Sequence, residues 1–97
     1  MNRNSIVDKI REISQVLPCS PQEKERISDL AIEISRTYLE SLPRDEERYI
    51  VDVALSSVYL SSNNVGCRFS YSEISKNSGY SLSSWPRIVK DIRAREK

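Results

Sequence analysis

The side chains in this chain best suited to bond-making chemistry are two thiols and a few carboxylates. Cys19 and Cys67 are the only cysteines, and histidine is absent. A structural zinc site takes four ligands, ordinarily Cys or His. Neither cysteine has a second ligand type close to it in the familiar spacings, so no metal and no cofactor is expected. A Cys19–Cys67 disulfide stays open, with free thiols of a reducing compartment the preferred reading. General acid–base work draws on His or on a carboxylate in a cleft, which leaves Asp52, Glu33 and the two thiols. Asp52 interrupts an apolar run. Buried acids are rare, so it is read as the one solvent-touching edge of that run. Cys67 follows a glycine loop, but only Arg68 stands beside it to favour a thiolate. Two glycines are too few for a phosphate-cradling loop. The expectation is a domain that binds and does not catalyse, with no small-molecule substrate.

The next candidate chemistry is phosphate contact by bases. The net charge of the chain is only +1, so the whole molecule carries no electrostatic signal for nucleic acid. The charge is unevenly placed, however. From Arg87 onward, Arg87, Lys90, Arg93, Arg95 and Lys97 stand against Asp91 and Glu96, a local +3 that leaves −2 elsewhere. A basic end points weakly to phosphate. The alternative is a solvated terminal helix whose cations sit favourably near its C-terminus.

Elements must position these groups, and the hydrophobic periodicity is helical throughout. The chain is 97 residues long with 38% hydrophobic residues, enough for one domain with a modest core. No apolar run approaches a membrane span, and the charged N-terminus MNRNSIVDKIREIS is not read as a signal peptide. Ile6, Ile10, Ile13 and Leu17 recur at helical steps over about 5–17, and Pro18 stops them. Ser20-Pro21-Gln22-Glu23 is a capping box with proline at the first helical position. Ile27, Leu30, Ala31, Ile34 and Tyr38 follow on one stripe, closed by Pro43. Asp45, Glu46 and Glu47 favour a third helix start. The run YIVDVALSSVYL is apolar in nearly every direction, the mark of a helix surrounded by neighbours. It is too long for a typical strand. Asn63-Asn64-Val65-Gly66 tolerates the left-handed conformation that ends helices. A short fourth helix spans 71–78, with Ser70 as cap and Glu73 three later. The fifth begins around 81–84 and carries Leu82, Trp85, Ile88, Val89 and Ile92. The expected fold is all-α: five helices, the third buried.

The last two helices are expected to form a helix-turn-helix. Ser75 is a small residue where they cross, Gly79 supplies positive φ in the turn, and Trp85 and Ile88 face back onto the first helix. Such hairpins also occur in cores that never meet DNA. In a DNA reader the second helix enters the major groove. Its outward residues here are Ser81, Leu82, Ser83, Arg87 and Lys90. Arg87 suits guanine or phosphate. Ser83 and Ser84 suit phosphate or a helix cap. Pro86 fits a first turn but not a helix interior, which argues for a late start. Arg68 and Ser70, at the entrance to the fourth helix, complete the candidate DNA-binding set. Trp85 is read as a core anchor, with a wedge into nucleic acid the lesser alternative.

These residues resemble one cyclin-like repeat of the transcription factor IIB family and its archaeal counterparts. VALSSVYLSSNNVG is similar to the family's Ala-rich third helix and its loop glycine. FSYSEISKNSGYSLSSWPRIVKDI is similar to its helix-turn-helix, with Ser70, Glu73, Ile74, Gly79, Ser81 and Lys90 at matching places. The departures are Pro86 and Ile88, where the family usually has basic residues. The resemblance implies a five-helix cyclin-like bundle. It further implies a part in transcription initiation, with promoter DNA and the TATA-binding protein or another protein of the transcription machinery as partners, and a recognition helix over Ser81 to Ile92. An intracellular location follows, nuclear in a eukaryote and cytoplasmic in an archaeon. Two further readings stand beside it: a cyclin-like protein–protein adaptor that does not read DNA, and a small helix-turn-helix regulator.

Overall fold

Local signals explain most of the helix ends in the computed structural model, which describes residues 3–43, 49–82 and 84–95. Within them the chain is all-helical: α1 (Arg3–Gln15), α2 (Pro21–Ser41), α3 (Ile50–Asn64), α4 (Tyr71–Ser78) and α5 (Trp85–Arg95). The expected acidic start of the third helix at Asp45, Glu46 and Glu47, together with Ser83, Glu96 and Lys97, lies outside the described residues.

Helices α2 and α4 begin at complete capping boxes. The Ser20 hydroxyl accepts from the Glu23 N–H at 3.2 Å, and the Glu23 carboxylate accepts from the Ser20 N–H at 3.0 Å. Ser70 and Glu73 repeat the exchange at 3.1 and 2.9 Å. Each box satisfies two amide groups that a helix start would otherwise leave unpaired. Helix α1 ends at Gln15, so Leu17 lies just beyond it yet is buried with Ile6, Ile10 and Ile13.

The end of α3 is a Schellman motif. Gly66, with φ +93°, donates its N–H to the Asn63 carbonyl at 3.3 Å, and Cys67 donates to the Ser62 carbonyl at 2.8 Å. The left-handed residue is therefore the glycine and not Asn63 or Asn64. Among the described residues no side-chain-bearing residue has positive φ.

Helix α3 packs against α1, α2, α4 and α5. Val53 to Val58, Ser61 and Ser62 are buried along it. A core containing this many serines works because most of the hydroxyls are paired with their own backbone. Ser56 donates to the Asp52 carbonyl at 2.8 Å, Ser61 to Ser57 at 2.7 Å and Ser62 to Tyr59 at 2.9 Å. Ser14 on α1 and Ser35 on α2 do the same. Small, satisfied side chains let helix axes approach closely. The apolar contribution then comes from Ile10, Ile13, Ile27, Leu55, Ile74 and Val89, which are essentially fully buried, each worth about 1.5–3 kcal/mol.

Two expectations near the C-terminus are corrected. Helix α5 starts at Trp85, so Ser81 and Leu82 precede it and are not part of that helix. Residues 79–84 separate α4 from α5, a longer connection than the three to four residues usual in a helix-turn-helix. The reason is Pro86. It has no N–H and clashes with the preceding turn, so it is confined to the first turn of α5 and sets where that helix begins. No helix among the described residues is long and apolar enough to cross a membrane.

Candidate nucleic-acid interface

Helix α5 buries one face and leaves the other open. Trp85, Val89 and Ile92 recur at steps of four and three and are buried. That periodicity turns Arg87 and Lys90, one turn apart, outward, and both are exposed. Among the described residues neither side chain has a hydrogen-bond or ion-pair partner, so both charges remain available to an external anion.

Trp85 is the anchor that orients this face. It is 0% exposed, and its indole N–H donates to the Ser75 hydroxyl at 3.1 Å. Its ring meets Tyr71 edge-on at 5.3 Å between centroids and Tyr59 at 5.9 Å. The Trp85 carbonyl accepts from Ser56 at 2.8 Å. A residue held on every side cannot act as a wedge into nucleic acid.

The serine candidates divide. The Ser84 hydroxyl donates to the Asp52 carboxylate at 2.8 Å, tying the start of α5 to α3. Asp52 is half-buried, as are Ile50, Val51, Tyr59 and Leu60 on the same helix, and it has a partner across the fold. The Ser70 hydroxyl is engaged in its capping box. Ser81 is exposed in the connection before α5, and Arg68 is exposed before α4. Ser83 lies outside the described residues. Of the candidate set, Arg87 and Lys90 share one helical face.

The other C-terminal bases do not act alike. Arg93 is exposed. Arg95 is committed internally: it pairs with Asp91 at 3.3 Å, donates to the Ser41 carbonyl at 3.2 Å and lies 5.9 Å from the Tyr38 ring centroid. The Tyr38 hydroxyl donates to Asp91 at 2.6 Å. This network borders a groove of about 240 Å³ between α2 and α5, walled by Leu30, Ile34, Tyr38 and Ile92 with Glu33 and Arg95 at its edge. The apolar stripe on α2 gave a signal for Leu30 and Ile34. Nothing in the sequence says that α5 stands beside them.

A second arrangement carries no spacing signal at all. The fold brings Cys19, Cys67 and Glu23 together, with their ligand atoms all within 4.8 Å of one another. The Glu23 carboxyl is held below its ordinary pKa, first by the Ser20 N–H and then by the Cys67 thiol. Burial foremost, and then the neighbouring Glu23 and Cys19, push the Cys67 thiol up to about 12. The sequence marks Glu23 only as a capping residue.

A third polar cluster fixes the connection after α4. Lys9 donates to the Tyr80 hydroxyl at 2.7 Å, and that hydroxyl donates to Glu12 at 3.0 Å. Tyr80, next to Gly79, thereby ties the connection between α4 and α5 to α1. Compared with protein-family models, curated proteins and solved structures, the chain matches none of them.

Proposed function

We propose that the domain is a cyclin-like repeat of the transcription factor IIB type that contacts promoter DNA through the outward face of α5. The observation that carries this reading is the Arg87–Lys90 pair: two exposed cations one turn apart, without internal partners among the described residues, on a helix whose opposite face is anchored by Trp85. Such cations neutralise phosphates and release counterions. The late start of α5 narrows the contact. Base reading by Ser81 on a helix is no longer part of it, and the role of this face is phosphate positioning with Arg87 as the one candidate for guanine. The contacts of α3 with the four other helices are compatible with a cyclin-like arrangement. Within the proposed role the domain works beside the TATA-binding protein in assembling the initiation complex.

The test is a titration with TATA-containing promoter DNA at several salt concentrations, with and without TATA-binding protein, comparing the domain with an Arg87→Ala, Lys90→Ala variant. Binding is expected to weaken with salt, and the variant is expected to bind less tightly with a salt slope shallower by about 1 per lost phosphate contact. Absence of DNA binding by a folded domain under all these conditions overturns the reading.

One observation favours a second reading. The apolar groove between α2 and α5 suits an adaptor that grips a partner helix or peptide from the transcription machinery. Binding to that partner would depend little on salt and would be lost on Ile34→Glu, whereas DNA binding through Arg87 and Lys90 would survive that change.

A further inference from the structure

We propose that Cys19, Cys67 and Glu23 form a binding site for one divalent cation of the zinc class, with solvent as the fourth ligand. The three donors come from helix ends that are set by their own backbone. Cys19 lies immediately before the N-cap Ser20, and its N–H is held by the Leu17 carbonyl at 2.8 Å. Glu23 is in the first turn of α2. Cys67 is the residue after Gly66 in the Schellman motif, its N–H held by the Ser62 carbonyl at 2.8 Å. Backbone positions of this kind fix the origin of each side chain, so that only side-chain rotations separate the three donors from a common centre.

The distances fit such an ion. The ligand atoms lie within 4.8 Å of one another. A tetrahedral ion about 2.3 Å from each sulfur and about 2.0–2.2 Å from the oxygen needs donors separated by roughly 3.5–3.8 Å. The remaining closure is about the reach of small side-chain rotations. The donor set selects the class. Calcium and magnesium take oxygen ligands, whereas two thiolates with one carboxylate suit a borderline-soft ion. Three protein ligands, each only half-buried, leave a position open to solvent.

The charges are also consistent. Two thiolates and a carboxylate around a divalent ion leave a net −1, placed at the positive N-terminal end of α2. The Ser20 N–H donates to Oε1 of Glu23 at 3.0 Å, an outer hydrogen bond of the kind that orients a ligating carboxylate. The third donor is what distinguishes an ion from a disulfide. A disulfide would join the two sulfurs and give the carboxylate no part. Metal binding here would clip the start of α2 to the end of α3.

The test uses the full chain kept reduced, titrated with Co²⁺ and then with Zn²⁺ in competition. The expected result is saturable binding of one ion per chain, with sulfur-to-cobalt charge-transfer absorption and tetrahedral ligand-field bands that Zn²⁺ removes. Cys19→Ser and Cys67→Ser should each abolish the charge-transfer signature of a two-thiolate site. Glu23→Gln, which preserves the capping box because glutamine serves the same position, should weaken binding by at least the roughly 10- to 100-fold that even an outer-sphere change produces. Helical spectra of all variants verify folding. Three outcomes overturn the proposal: no saturable binding by the reduced chain, binding unchanged in the double Cys19→Ser, Cys67→Ser variant, or equal affinity in Glu23→Gln.

Discussion

The indole N–H of Trp85 donates to the hydroxyl of Ser75 across 3.1 Å, with the indole fully buried. This bond joins α5 to α4 at the point where a small residue admits the ring. Trp85→Ala is expected to destabilise the domain by about 3–5 kcal/mol through the cavity it leaves. Ser75→Ala should cost about 1–3 kcal/mol, because a buried donor loses its partner. Trp85→Phe in the Ser75→Ala background should then add less than it does alone. Urea denaturation of the four proteins checks this, and strict additivity would show that the bond is not energetically coupled.

Tyr80 holds Lys9 and Glu12 in one cluster, and the cluster has a pH signature. The Tyr80 hydroxyl foremost, with Glu12, raises the Lys9 pKa above its ordinary 10.5 against an opposing effect of burial. Tyr80 foremost, and then Lys9, lowers the Glu12 pKa below its ordinary 4.5. The stabilisation linked to Lys9 is therefore complete below 10.5 and lost as pH rises through its higher folded value. That linked to Glu12 is complete above 4.5 and lost as pH falls through its lower folded value. The difference in melting temperature between the native chain and Tyr80→Phe should be largest between these limits and shrink toward both extremes. A difference independent of pH would contradict this account.

Gly79 ends α4 with φ +81° and ψ 4°, and a Cβ built there meets nothing within 4 Å. The cost of Gly79→Ala is therefore conformational alone, about 1–2 kcal/mol. Gly79→Asn should cost less, since asparagine tolerates this region. Thermal denaturation of the two variants gives the ranking. Equal losses would point to a steric cause instead.

Ser57 is buried on α3 with no partner for its hydroxyl among the described residues. Ser57→Ala removes an unsatisfied polar group and adds helix propensity. It is expected to leave stability unchanged or raise it by up to about 1 kcal/mol. Ser56→Ala, one residue earlier, should do the opposite, because its hydroxyl reaches the Trp85 carbonyl at 2.8 Å. Paired chemical denaturation curves decide the sign in each case.

Several elements were legible in the residues themselves. Ser20 with Glu23 and Ser70 with Glu73 mark the starts of α2 and α4, and both boxes form as the spacing predicts. Gly79 takes positive φ where the turn requires it. Pro86 argued for a late start to α5, and the helix begins at Trp85. The expected helix start at Ser81 is displaced to Trp85, because one proline outweighs the periodicity of the residues around it. Ser84 was legible as a residue near a helix start. Its bond to Asp52 was not, because Asp52 lies on another helix.

What the sequence determined alone was an all-helical chain: where α2 and α4 begin, where glycine ends α3 and α4, and which faces of the amphipathic helices are apolar. These features depend on residues within one or two turns, so their physics is local. The tertiary structure alone decided which distant groups meet. It set Tyr80 against Lys9 and Glu12, Arg95 against Asp91 and Tyr38, and Cys67 beside Cys19 and Glu23. Those meetings depend on the crossing angles and registers of packed helices. Periodicity tells that a face is buried, but not against what, because any apolar stripe of the right width satisfies the same hydrophobic driving force.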